Sequence, residues 1–305
     1  MNPGTIVIAG GSGFIGTALA REFVRRGHPV VVLTRAPRAR PDGVREVAWD
    51  GAAAGPWAAE LDGAAAVINL TGKNINCPHT PENLRAITAS RVNSVRAIAA
   101  ALAPAKCPPP VWVQASATGY YGDTGDRLCD ESSPAGDDAL ARICREWEQA
   151  FAAASLPATR RVGLRIGFVL GWGGGALPVL ARLTRLFLGG AAGSGRQYIS
   201  WIHLDDLVRI FVAAVEDEAF HGTYNAVAPN AVTNAEFMRS LRRALGRPWS
   251  PPAPAWAVKL GARLMGSEPS LALISQRSAP ARLVQGGFQF QSTELAGALR
   301  ELGGK

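Results

Sequence analysis

The sequence of 305 residues predicts an α/β protein: a doubly wound parallel sheet with a smaller, discontinuous C-terminal domain. Three observations predict it. β-type runs alternate with helix-compatible segments as far as Leu170, and the first run breaks into glycines before its helix. From Gly171 the texture changes to short glycine-rich stretches and a proline-rich linker. This division assigns residues 1–170, with 199–222 returning, to the sheet domain, and 171–198 with 223–305 to the smaller one.

In order, Thr5–Ala9 reads as a first strand and Phe14–Arg26 as a helix with Ile15, Leu19, Phe23 and Val24 apolar. Val30–Leu33 is a second strand, Val44–Trp49 a third ending at Asp50, and Ala65–Leu70 a fourth ending in Thr71-Gly72. Pro81–Leu102 predicts a long helix with Leu84, Ile87, Val92, Val95 and Ile98 on one face, stopped by Pro104 and Cys107-Pro-Pro-Pro110. Val111–Ser116 is a fifth strand, Asp138–Ala154 a helix and Arg161–Leu170 a sixth strand. Beyond Gly171 the pattern predicts a helix at Leu177–Leu188, another opened by Trp201–Asp206 and running to Val215, a strand at Tyr224–Ala228, and a helix at Asn234–Leu245. Trp249–Pro254 is the linker, and the tail holds further helical segments, the last ending near Leu302.

The run Gly10-Gly-Ser-Gly-Phe-Ile-Gly16, set between a strand and a helix, is the dinucleotide-binding arrangement of a Rossmann-type fold. Gly10 takes the tight turn, Gly13 lets backbone approach a pyrophosphate, and Gly16 lets the helix lie close on the strand. The start of the helix at Phe14 and Ile15 offers free N–H groups to a phosphate. About 20 residues past the glycines, where an acidic residue marks NAD, the chain has Thr34-Arg35, followed by Arg38 and Arg40. A guanidinium there suits the 2′-phosphate of NADP, with Ser12 adding a hydroxyl. Asp50, Leu70, Thr71 and Gly72 fall at strand ends on the carboxyl edge and join the cofactor set, although Asn69–Gly72 also reads as a plain turn.

Composition narrows the rest. The net charge is +8, and Lys73, Lys106, Lys259 and Lys305 are the only lysines. Basic runs interleaved with aromatics are missing, so no nucleic acid is expected as partner. The histidines and the cysteines Cys77, Cys107, Cys129 and Cys144 lack metal-ligand spacing and predict free thiols and no metal. The Met1-Asn-Pro-Gly opening and the lack of a membrane-length apolar run predict a cytoplasmic chain with no membrane partner. A small-molecule substrate is the expected partner, and a monomer or homodimer the expected state.

The ordered set Gly10–Gly16, Ser90-Arg-Val, Ser116-Ala-Thr-Gly-Tyr-Tyr-Gly122, Trp147-Glu148, Arg165, Gly174-Gly-Ala-Leu177, Gly195-Arg-Gln197, Ser200-Trp-Ile-His203, Ala228-Pro229, Asn234-x-x-Phe237 and the tail motifs Ser275-Gln-Arg277 and Pro280-x-Arg-Leu283 resembles a known family. It looks like the extended short-chain dehydrogenase/reductase superfamily, and within it the atypical NAD-dependent epimerase family that ends in a C-terminal domain of unknown function. The resemblance covers essentially the whole chain. It implies NADP(H) in a Rossmann domain, with Arg165 among the cofactor residues, and a smaller domain closing over the nicotinamide.

The superfamily moves its proton with a Tyr-x-x-x-Lys pair, and this chain lacks it. Its four tyrosines are followed four residues on by Thr124, Gly125, Ile202 and Ala228. Aligned through Glu148, the pair's positions hold Leu140 and Cys144. Ser116 and Thr118 are then the expected polar anchors for substrate oxygen, with Tyr121 as catalytic candidate, although a phenol near its ordinary pKa of about 10 is a poor base at neutral pH. Tyr120 and Tyr121 read equally as packing aromatics. Two classes of function compete: an NADP(H)-dependent oxidoreductase or epimerase of a small carbonyl or sugar-like molecule, and a non-catalytic NADP(H)-binding regulator or scaffold. The glycine-rich segment 171–195 is expected to cover a ligand.

Overall fold

The structure, a computed structural model, describes residues 4–303; Met1–Pro3, on which the reading of the N-terminal leader rests, and the last two residues lie outside it. Ile6–Ala9 (β1), Val30–Thr34 (β2), Arg45–Ala48 (β3), Ala66–Asn69 (β4), Val111–Ala117 (β5) and Arg160–Ile166 (β6) form one sheet, joined at its edge by a later strand. All its pairings are parallel. The connections carry Phe14–Arg25 (α1), Pro81–Leu102 (α2) and Ala139–Ala152 (α3). Thr80 caps α2 by accepting from the Asn83 N–H, with Pro81 at the first helical position.

The expected sixth strand, Arg161–Leu170, is two. It breaks at Gly167, where a Cβ would lie 2.5 Å from the Ser200 carbonyl oxygen and 2.7 Å from Val227 Cγ1. Phe168–Leu170 (β7) thus leaves the main sheet, and after Leu177–Arg185 (α4) and the short Tyr198–Ile199 (β8) it pairs with Trp201–His203 (β9). Those three residues were expected to open a helix; they are a strand, and Leu204–Glu216 (α5) begins behind them, capped by His203 Nδ1 accepting from the Asp205 N–H at 3.2 Å. Gly222–Ala226 (β10) is the seventh strand of the main sheet, so the sheet keeps the chain four residues beyond the division drawn at 222. Val232–Thr233 (β11) pairs antiparallel with β8. Asn234–Ala244 (α6), Ala255–Leu264 (α7), Ser270–Leu273 (α8), Ala281–Gln285 (α9) and Leu295–Gly303 (α10) complete the chain.

The strand order is β10-β6-β5-β4-β1-β2-β3. It reverses between β1 and β4, and their carboxyl ends open the crevice that such sheets use for ligands. One apolar layer under the sheet takes Leu19 and Phe23 from α1 and Leu207, Ile210 and Phe211 from α5. The opposite layer takes Val95 and Ile98 from α2 and Trp147 and Phe151 from α3. A third core, with Trp201, Phe237, Leu241 and Leu299, holds the C-terminal part together. No helix of the described residues is long and apolar enough to cross a membrane.

Candidate functional site

The crevice begins at Gly10, whose φ of +73° lies in the left-handed region and whose Cβ position would be 3.0 Å from the Thr71 nitrogen. At Gly16 a Cβ would lie 2.5 Å from Gly11 Cα, so α1 rests directly on the turn. Gly13 differs: its Cβ position meets nothing nearer than the Gly10 oxygen at 3.6 Å. Gly13 is also the cap of α1, no side chain bonds to that helix start, and no acidic residue stands in its first turn. An uncapped helix N-terminus with clear space before it fits a phosphate.

Around this opening several polar groups are uncommitted. Arg35, exposed beyond β2, has no hydrogen bond or ion pair among the described residues, whereas Arg40 is held by Asp42 and Glu46. Ser12 Oγ lies 3.2 Å from Thr34 Oγ1, beside Arg35. The Thr71 hydroxyl is buried without a partner, its N–H bonding to Asn69 Oδ1 at 3.0 Å. Leu70 anchors the loop through its N–H to the Ala9 carbonyl, and Gly72 is exposed. Asp50 is the exception in the expected set: its carboxylate accepts from the Ala53 and Ala52 N–H groups at 2.8 Å, which hold its pKa below the usual range, and so it shapes its own turn.

On the other side of the switch point, after β5 and β6, the polar groups are closed on one another. Ser116 Oγ donates to Glu148 Oε1 at 2.6 Å. Glu148 accepts from Arg165 Nε and Nη2 at 2.9 and 2.8 Å, a bidentate pair. Arg165 Nη1 donates to the Tyr121 hydroxyl at 2.9 Å, and that hydroxyl faces Asn225 Oδ1 at 2.7 Å and the Asp130 carbonyl at 2.8 Å. Burial pushes the Tyr121 phenol up to about 12, against the opposing pull of Arg165. Arg165, expected among the cofactor residues, therefore commits its donors to protein, with its Cζ stacked 3.5 Å above the Tyr120 ring. Ser116 and Tyr121 are likewise bound into this network, each hydroxyl hydrogen-bonded to protein.

Thr118 Oγ1 donates to Gln276 Oε1 at 3.1 Å, which joins β5 to the tail. Cys144, at the missing lysine's position, faces Gly119, whose Cβ position is 3.6 Å from Sγ. Burial first, then the Glu148 carboxylate, raises its thiol to about 12, so it is no thiolate. Lys73 is exposed and donates to Asn83 Oδ1 at 2.8 Å. Glu148, Asn225 and Gln276 received no role from the sequence, because their partners are 17 to 158 residues away along the chain. Of the glycines expected to cover a ligand, Gly174 and Gly171 pack on the first residue of α1, their Cβ positions 2.5 and 2.8 Å from the Phe14 side chain, whereas a Cβ at Gly173 meets nothing within 4 Å. His203, Asp205 and Glu301 bring ligand atoms within 4.8 Å of one another, but His203 Nδ1 is already engaged as the α5 cap and the two carboxylates are exposed.

The sequence pattern of the NAD-dependent epimerase/dehydratase family matches residues 6–226, and a domain of unknown function, DUF1731, matches residues 253–302. The chain belongs to the NAD-dependent epimerase/dehydratase family. Among its relatives, the human epimerase family protein SDR39U1 is 38% identical over 97% of this chain and 99% of its own length. The chloroplastic homologue of Arabidopsis thaliana is 36% identical over 98% of this chain and 86% of its own. A crystal structure of human SDR39U1, isoform 2, with NADPH superposes with a TM-score of 0.87 at 34% identity, covering 99% of each chain. The atypical short-chain dehydrogenase/reductase reading and the seven-strand parallel sheet are thus established for this epimerase-family chain.

Proposed function

We propose that this epimerase-family chain binds NADP(H) in the β1/β4 crevice and exchanges hydride with a small carbonyl or sugar-like compound held on the β5 side. Gly13 and the N–H groups of Phe14, Ile15 and Gly16 would hold the pyrophosphate, with Arg35 and Ser12 at the 2′-phosphate and Leu70, Thr71 and Gly72 along the dinucleotide. The observation that carries this is the pairing of an uncapped helix start with a guanidinium, unpartnered among the described residues, at the end of the adjacent strand. When bound, the nicotinamide supplies the hydride. Thr118 and Gln276 position the substrate oxygen, and the Arg165–Glu148–Ser116 network fixes the strand ends around it. The NADPH bound to the human relative supports the phosphate preference. A cytoplasmic location belongs to the same proposal.

A second reading, a non-catalytic NADP(H)-binding regulator, is favoured by the saturation of Ser116 and Tyr121 within the protein. Incubating the protein with NADPH and a panel of small carbonyls and nucleotide sugars, while following the nicotinamide absorbance, separates the two. Oxidation of NADPH by one substrate class supports the enzyme; silence across the panel with NADPH bound supports the regulator.

A further inference from the structure

Arg91, in the Ser90-Arg-Val motif on α2, has no part in the site described so far. Its Nη1 donates to two backbone oxygens, Lys73 O at 2.9 Å and Ile87 O at 3.1 Å. No carboxylate pairs with it among the described residues, and Nη2 and Nε have no protein acceptor there. Its Cζ lies 5.1 Å from the centroid of the Trp147 ring, one turn of α3 beyond Cys144. Burial pushes its pKa down, yet a guanidinium stays charged at neutral pH.

A half-buried cation without a counter-ion is unfavourable unless something polar or anionic meets it. The guanidinium lies against Gly72: a Cβ there would sit 3.1 to 3.3 Å from Arg91 Cζ, Nη1 and Nη2, so the glycine leaves room for the cation beside the crevice. Gly72 lies just beyond β4 at the crevice, and its neighbour Lys73 is tied down by its N–H to Ser90 Oγ at 2.9 Å. The Arg35 end of the crevice follows β2, on one side of the switch point; Gly72 and Thr118 follow β4 and β5, on the other. A dinucleotide with its 2′-phosphate at Arg35 therefore runs its nicotinamide half past Gly72.

Resting on the NADP(H) reading above, we propose that Arg91 is a cofactor-holding residue, reaching over Gly72 to the ribose and phosphate oxygens of the nicotinamide half. Placed beside Cys144, it supplies from α2 a fixed cation where the superfamily's lysine is missing from α3. Because a guanidinium does not give up its proton, Arg91 binds and orients but does not relay protons. A side chain at Gly72 would push the guanidinium out of this place.

The test titrates NADPH and adenosine 2′,5′-bisphosphate, the half-cofactor without nicotinamide, against wild type, Arg91→Met and Arg91→Lys by tryptophan fluorescence. Arg91→Met should weaken NADPH about tenfold, the scale of one hydrogen bond to a charged group, with the half-cofactor unchanged. Arg91→Lys should recover part of the loss. Unchanged NADPH affinity, or an equal loss for both ligands, overturns the role of Arg91. If wild type binds neither ligand, the NADP(H) reading itself falls, and this inference with it.

Discussion

Two stretches of the sheet's carboxyl edge treat their polar groups in opposite ways. After β1, β2 and β4 the start of α1 has no side-chain cap, and the Arg35 guanidinium and the Thr71 hydroxyl have no partner among the described residues. After β5 and β6, Ser116, Tyr121, Glu148 and Arg165 satisfy one another and Arg165 is 5% exposed. Unmet polar groups at a sheet edge are kept for a ligand, whereas a closed network of the same residue types holds the fold. The difference teaches that residue type at a strand end is a weaker guide to chemistry than whether its hydrogen bonds are already used.

Substitutions sharpen or break this contrast. The largest effect is expected from Arg165→Met, which leaves Glu148 without its cation inside the network; about 3–5 kcal/mol of stability should be lost, read by urea denaturation. A loss under about 0.5 kcal/mol, the ordinary range for a surface change, would show that the network is not structural. Gly16→Ala places a methyl group 2.5 Å from Gly11 Cα, backbone against backbone. It should lower stability by about 1–3 kcal/mol and remove NADPH binding, because α1 must back away from the turn.

Tyr121→Phe deletes a hydroxyl bonded to Arg165 and facing Asn225, and should destabilise by about 1–3 kcal/mol. If Tyr121 only holds the fold, hydride transfer with any substrate found should persist in that variant; its disappearance with the fold intact would restore Tyr121 as a catalytic group. Burial pushes the phenol up to about 12, so ultraviolet titration of Tyr121 is expected well above the ordinary tyrosine range. The smallest effect lies outside both regions. The Arg25 and Arg26 guanidinium groups lower Glu22 from 4.5 to about 2, so its contribution is complete above pH 4.5 and is lost as pH falls through 2. Glu22→Gln should lower stability slightly at neutral pH and flatten the acid limb, so that variant and wild type converge as pH falls through 2; an equal shift at both pH values would contradict the ion pair.

Much of this was legible in the sequence, for local reasons. The glycine run, Arg35 and the bounds of α2 depend on neighbours in the chain: a turn needing positive φ at Gly10, a threonine cap at Thr80, a proline stop. What the sequence missed depends on distant partners. An apolar run does not reveal that Gly167 must pass Ser200 and Val227, so β6 and β7 looked like one strand. Nor does the sequence reveal that Arg165 donates to Glu148 and Tyr121, which lie 17 and 44 residues away along the chain. Trp201–His203 carries a helix-like pattern, but β7 lies alongside it and draws it into a ladder.

The central claim is that the open side of the crevice selects a dinucleotide bearing a 2′-phosphate. Isothermal titration calorimetry of NADPH and NADH with wild type and Arg35→Ala tests it most directly. NADPH should bind the wild type at least about tenfold tighter than NADH, and the variant should lose that margin while keeping its NADH affinity. Equal affinities in the wild type, or an undiminished preference in the variant, would contradict the account.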